Sequence, residues 1–241
     1  MSDRDGNTEI YVMNRDGSGQ RRLTFSTATD HSPRWMPDGR SVLFFRTSLD
    51  PSNGDNPESY DLFMIDEEGG NLRKLTPDST YHHFSVREDS PSILDAGPRC
   101  SPDGTRIVFQ HYQSGRFLIS MISADGRLRV PLVVDSGVDF APWFYPDGEE
   151  ILFRSHRGGD FDLYRMPVEE GGEPLRVTND TGHTMFGAFS GDGSRMLYVS
   201  NIDEERHEYY HIYAADADGG HRVKLTDGPF ADYFPAFRPG I

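Results

Sequence analysis

Apolar residues occur in this chain as short runs set between polar turns at a regular spacing. The clearest are Ser41-Val42-Leu43-Phe44-Phe45, Arg106-Ile107-Val108-Phe109, Glu150-Ile151-Leu152-Phe153 and Arg195-Met196-Leu197-Tyr198-Val199. Each follows at once on a copy of one turn: Trp35-Met36-Pro37-Asp38-Gly39, Cys100-Ser101-Pro102-Asp103-Gly104, Phe144-Tyr145-Pro146-Asp147-Gly148 and the altered Phe189-Ser190-Gly191-Asp192-Gly193. Proline presets φ at the second turn position, aspartate tolerates the third, and glycine takes the left-handed conformation that closes a short hairpin loop. The pattern predicts a hairpin each time, and its recurrence at about 40 to 50 residues predicts a repeat architecture.

Aligned copies show four runs per unit. The first is led by an Asp-x-x-Pro tetrad, in Asp30-His31-Ser32-Pro33, Asp95-Ala96-Gly97-Pro98, Asp139-Phe140-Ala141-Pro142 and Asp232-Tyr233-Phe234-Pro235, and is altered to Thr184-Met185-Phe186-Gly187 in one unit. The second follows the Pro-Asp-Gly turn. The third, exemplified by Leu62-Phe63-Met64-Ile65 and Leu163-Tyr164-Arg165-Met166, ends at an acidic-glycine turn such as Asp218-Gly219-Gly220. The fourth is basic and closes in Leu-Thr, as in Arg21-Arg22-Leu23-Thr24 and Arg73-Lys74-Leu75-Thr76. Four strands joined by tight turns predict one antiparallel blade. Cations on the last run suit an exposed edge, and the more continuously apolar central runs suit burial on both faces between neighbouring blades. No stretch holds a helical period.

The succession Asp-x-x-Pro-x-Trp-x-Pro-Asp-Gly, apolar run, Ser155-His156-Arg157-Gly158-Gly159, Asp162-Leu163-Tyr164 and closing Leu-Thr resembles the TolB-like, WD40-like repeat of the PD40 type. The resemblance extends over nearly the whole chain. It implies an all-β fold, a β-propeller of about five four-stranded antiparallel blades forming a single domain over residues 1–241. The units span about 30–76, 95–134, 139–178 and 184–226, with a fifth split between 232–241 and 1–24. The split unit shows no second run. Three readings stand open: a piece of a longer propeller, a natural ring closed by a reduced blade, or a chain that takes a strand from a partner, as a strand-sharing homo-oligomer would.

Composition narrows the partners. With 39 acidic and 24 basic residues the formal charge is −15, which disfavours nucleic acid and suits cationic groups or metal ions. The one cysteine, Cys100, leaves no intramolecular disulfide, and its place on an inner strand predicts a packing role. Met1 to Gly6 show no export signal, and no run reaches membrane-span length, so no membrane insertion is expected. By resemblance, a periplasmic or secreted setting is implied.

Two polar stretches interrupt the period, Thr47 to Tyr60 and Pro77 to Asp95, and the second carries Tyr81-His82-His83-Phe84. Loops of such length are functional or disordered, and the aromatic one is the better binding candidate. If the first strands line a channel, Asp30, Asp95, Asp139 and Asp232 gather at its mouth as an acidic ring, with oxygen donors of the kind Ca²⁺ takes. The alternative is that each carboxylate caps backbone N–H groups in its own turn. His31, His183, His82 and His83 would join the same mouth, while His111, His156, His207, His211 and His221 fall beside hairpins and are expected on the surface. The turn aspartates Asp38, Asp103, Asp147 and Asp192 are expected to be structural. No nucleophile motif, metal-type histidine spacing or phosphate-binding glycine loop is present.

The resemblance implies a non-catalytic interaction module that binds a protein, peptide or glycan at the channel mouth, with Ca²⁺ as the cation its charge would suit. The same repeat also serves enzymes, including metal-assisted oligogalacturonate lyases acting on acidic sugars, and accessory propellers of peptidases. Fold alone does not choose among these.

Overall fold

The computed structural model describes residues 1–49, 58–76, 97–113, 116–133, 138–169, 171–179, 182–202 and 209–238, and every regular element among them is a β-strand. Among the described residues no helix is long and apolar enough to cross a membrane. The chain opens with a hairpin, β1 (Tyr11–Val12) and β2 (Arg21–Arg22). Four sheets follow, each of four strands. The first is built from β3 (Asp30–Trp35), β4 (Ser41–Leu49), β5 (Glu58–Asp66) and β6 (Arg73–Lys74). The second has β7 (Arg99–Cys100), β8 (Arg106–Gln113), β9 (Arg116–Ser123) and β10 (Arg129–Val133). β11 (Asp139–Phe144), β12 (Glu150–Ser155), β13 (Asp162–Pro167) and β14 (Leu175–Arg176) form the third. The fourth comprises β15 (Thr184–Phe189), β16 (Arg195–Ser200), β17 (His211–Asp216) and β18 (Val223–Lys224). Strands pair in chain order and antiparallel in every sheet. The chain divides into two compact units, Met1–Pro131 and Leu132–Ile241.

The Pro-Asp-Gly turns are held as their residue types require. Asp147 Oδ1 accepts the N–H of Glu149 at 2.9 Å, Asp38 does the same for Arg40, and Gly148 takes φ 78°. Hydrogen bonds from Ser101 and Thr105 hold the Asp103 carboxyl down at about 2, and Ser190 and Ser194 do so for Asp192. These aspartates fasten hairpins.

Strand alternation distributes the core. In β4, Val42 and Phe44 face the N-terminal hairpin and pack with Ile10, Leu23 and Ile65, whereas Leu43 and Phe45 face the second sheet and pack with Ile107, Phe109 and Ile122. Both faces of a central strand are therefore buried, and a side chain such as Phe44, fully excluded from water, contributes on the order of 1.5–3 kcal/mol. The same arrangement joins the third and fourth sheets through Leu152, Leu163, Phe186, Met196, Tyr198 and Tyr213. Cys100 packs against the cluster of Leu43, Phe45 and Ile107, with Sγ 3.5 Å from the Trp35 carbonyl oxygen, and burial pushes its thiol up.

The leading strands of the first, third and fourth sheets bulge. Register shifts between His31 and Arg34 in β3 and between Phe140 and Trp143 in β11, where Ser32 and Ala141 take φ 54° and 49°. Phe234, the matching residue near the C-terminus, takes φ 58°, so residues 232–238 keep the bulged conformation without strand pairing among the described residues. The segment is tied back by its Asp232 N–H, which donates to the Tyr210 carbonyl at 2.7 Å, just as Asp30 N–H donates to Thr8 and Thr184 N–H to Phe161, both at 2.8 Å. At these three places a residue at the head of a third run thereby anchors the start of the run that opens the following unit.

Candidate functional site

Asp30 and Asp139 are completely buried, and each is neutralised inside its own sheet. Arg46 donates from Nε and Nη2 to the two Asp30 oxygens at 2.6 and 2.7 Å, and Arg157 donates to Asp139 Oδ1 at 3.0 Å. The hydrogen bond to Asp30 raises the Arg46 guanidinium above its ordinary pKa. Both arginines are flattened against rings, Arg46 on Phe44 and Phe63, Arg157 on Phe153 and Tyr164. A cation at either carboxylate would have to displace its arginine. Asp232 is partly exposed, with Oδ2 3.7 Å from Nδ1 of the buried His211. Asp95, Tyr81, His82 and His83 lie outside the described residues. Among the described residues no three His, Cys, Asp or Glu side chains are grouped to hold a metal ion.

A second recurring carboxylate was not singled out from the sequence. In the N-terminal hairpin and in the first and third sheets, an acid at the head of the third run meets the threonine that closes the fourth: Thr76 donates to Asp61 at 2.9 Å, Thr178 to Asp162 at 2.8 Å, and Thr24 to Glu9. The same threonine oxygens accept the N–H of Leu62, Leu163 and Ile10, and Lys74, Arg176 and Arg22 complete the brackets as ion-pair partners. Burial pushes the Glu9 carboxyl up, but its hydrogen bonds from Thr24, Ser26, Arg22 and Asn7 outweigh that and hold it below the usual range. In the fourth sheet His211 takes the acid's place, and Thr226 still accepts the Ile212 N–H at 2.9 Å. The recurrent Leu-Thr ending is the signal that carried this bracket.

His31 lies between Phe45 and Tyr60, at ring distances of 5.9 and 4.8 Å, with Nδ1 3.0 Å from Ser32 Oγ; burial pushes its pKa down to about 4. His111 and His211 differ from expectation: both are buried, because their strands run past the hairpins into the sheet interior. His111 Nε2 is 2.9 Å from Ser120 Oγ, and burial lowers its pKa to about 4. His156 and His221 are exposed as expected, and His207 is outside the described residues.

The arrangement best suited to a ligand lies in the compact unit Leu132–Ile241. Phe161, immediately before β13, carries the Arg154 guanidinium 4.1 Å from its ring centre. His156 meets the same ring edge-on at 4.8 Å, with His183 at 5.6 Å and Phe140 at 5.8 Å. The next such position is Tyr210, beside Tyr233 at 5.5 Å, and Tyr233 touches Phe234 at 6.1 Å. Burial raises the Tyr210 hydroxyl pKa, with Arg154 opposing it. The rings are partly exposed, and Phe234 is 57% exposed. Amphipathic rings with a cation held on a π face supply stacking and charge to a bound molecule. Of the residues expected at a binding mouth, His183 joins this cluster. An aromatic residue directly before the third run, in Tyr60-Asp61, Phe161-Asp162 and Tyr210-His211, is the sequence signal for it.

Tandem four-stranded antiparallel sheets, three of them opened by a bulged leading strand, define a β-propeller. The chain belongs to the TolB β-propeller domain family: the family model described as PD40, TolB beta propeller domain, matches residues 89–240. A protein TolB homolog of Chlorobium luteolum is 32% identical over 140 residues, covering 58% of this chain and 28% of that protein. The chain spans 57% and 28% of the lengths of the first two curated relatives that it matches. TolB from Acinetobacter baumannii superposes with a TM-score of 0.67 at 22% identity, covering 90% of this chain and 48% of that one. An oligogalacturonate lyase in complex with manganese gives 0.69 at 14% identity, covering 94% and 61%. At such identities the likeness is one of fold.

Proposed function

We propose that the chain is a non-catalytic binding module, which takes a protein or peptide partner on the aromatic, cation-bearing surface around Phe161. One observation carries this reading: Arg154, Phe140, His156 and His183 converge on the Phe161 ring at a partly exposed surface. Aromatic and arginine side chains anchor protein interfaces because they bring large contact area and directed charge together. The fully buried Asp30 and Asp139, engaged by arginine, serve the sheets and leave recognition to the rings. Membership of the TolB family supports a protein partner and a periplasmic setting.

Selection of displayed random peptides on the full chain, with counter-selection on the Phe161→Ser, Arg154→Ser variant, tests the proposal. Peptides that bind the chain and lose at least tenfold affinity on the variant are expected. Enrichment indifferent to the variant, or turnover of oligogalacturonate by the chain with manganese, would overturn it.

A further inference from the structure

The sequence holds nine Asp-Gly pairs, and the fold treats one of them differently. In eight, the glycine N–H donates to the carbonyl two residues before the aspartate at 2.8 to 3.0 Å, as Gly39 does to Met36 and Gly219 to Asp216. In seven of those eight the carboxylate also turns forward and accepts the N–H of the residue after the glycine, at 2.9 to 3.1 Å. Before such a glycine nitrogen can attack its neighbour's carboxyl carbon, these bonds must be given up.

Asp227-Gly228 has neither bond. Pro229 follows it and has no N–H to offer the carboxylate. Among the described residues the Gly228 N–H reaches no backbone carbonyl, and it is turned to the Asp227 carboxylate itself. Lys224 Nζ, 3.1 Å from Oδ1, holds that carboxylate in place. The Asp227 side chain is 85% exposed, so water reaches it. Gly228, at φ 109°, has only Phe230 within 4 Å of where a Cβ would stand, at 3.7 Å, which leaves the backbone room to turn.

We propose that Asp227-Gly228 is the chain's site of aspartate isomerisation through a cyclic imide. The Gly228 nitrogen attacks Cγ of the protonated Asp227 carboxyl. The N–Cγ bond forms, the C–OH bond breaks, and the amide proton leaves with that hydroxyl as water. A water then adds to either imide carbonyl: opening at Cγ restores aspartate, and opening at the main-chain carbonyl leaves the chain running through the side-chain carbon, as isoaspartate. One water leaves, one returns, and no electrons are transferred. The product adds a methylene to the link between β18 and Asp232, whose N–H is tied to the Tyr210 carbonyl at 2.7 Å. It also carries a free α-carboxylate, the group that an isoaspartyl methyltransferase esterifies from S-adenosylmethionine.

The test incubates the folded full chain in mildly acidic buffer, digests it, and resolves the Asp-Gly peptides by mass spectrometry, with isoaspartate counted by methyl transfer from labelled S-adenosylmethionine. Asn53-Gly54, whose deamidation also yields isoaspartate, is told apart by its change in mass. Isoaspartate is expected at residue 227 at least tenfold faster than at each of the other eight aspartates. In urea the nine rates should converge, because the protecting bonds are gone. Pro229→Ala, which supplies the missing N–H, should slow residue 227 at least threefold in the folded chain and leave its rate in urea unchanged. Equal rates across the nine in the folded chain, a faster site elsewhere, a preference for residue 227 that persists undiminished in urea, or a Pro229→Ala chain that reacts as fast as the parent would overturn the proposal.

Discussion

Arg46 closes a two-point hydrogen bond on Asp30, 16 residues earlier in the chain, and does so where the carboxylate has no exposure to water. A buried carboxylate deprived of its cation retains its desolvation penalty without compensation. Arg46→Met is therefore expected to destabilise the chain by about 3–5 kcal/mol in urea unfolding. Adding Asp30→Leu to that variant should recover more than half of the loss, since the residual cost is the unpaired charge. A double variant as unstable as the single would show that the arginine acts through packing on Phe44 and Phe63.

The threonine that closes the fourth strand serves two groups at once. Thr178 Oγ1 donates to Asp162 and accepts from the Leu163 N–H at 2.9 Å. Thr178→Val keeps the shape but removes the acceptor of the Leu163 N–H and one donor to Asp162, so a loss of about 1–3 kcal/mol is expected, with Thr178→Ser far milder. Thr226→Val should cost less than Thr178→Val, because His211 stands where the acid would be. Chemical denaturation of the three variants side by side checks the order.

Local features of the fold were legible in the sequence because their causes lie within a few residues. The Pro-Asp-Gly turn carries its own hydrogen-bond acceptor and its own left-handed residue, so Asp147 and Gly148 could be assigned from five letters. The family followed from the recurrence of that turn with the runs around it. Partnerships across a sheet were not legible. Nothing near Asp30 names Arg46, and nothing near His111 says that its strand continues inward until Ser120 meets the ring. Phe161 escaped notice for the same reason: its significance comes from Arg154, His183 and Phe140, which pairing and the next unit's start bring to it.

His31 and His111 make the chain acid-sensitive in a defined window. Both are held at about 4 by burial, below the ordinary value of 6.5, so between these limits the unfolded chain binds protons that the folded chain refuses. Stability tied to them is fully present above about pH 6.5 and is lost as pH falls towards 4, at up to about 1.4 kcal/mol per pH unit for each histidine. His111→Gln should flatten the dependence of unfolding free energy on pH across this window, with little change in slope above pH 7. An unaltered slope in the variant would exclude His111 as a contributor.

Two glycines with left-handed backbones separate conformational strain from steric overlap. Gly171 has φ 78° and open space where a Cβ would stand, whereas Gly219, at φ 92°, would place its Cβ 2.3 Å from the Val177 carbonyl oxygen and 3.0 Å from Val177 Cγ1. Gly171→Ala therefore meets only the cost of a left-handed L-residue, about 1–2 kcal/mol. Gly219→Ala must also push apart the acidic-glycine turn of the fourth sheet and the end of the third, where the opposing atom is backbone and cannot swing away. Its loss in thermal or urea unfolding is expected to be at least twice that at Gly171. Equal losses at the two positions would mean that the close approach to Val177 is relieved without cost.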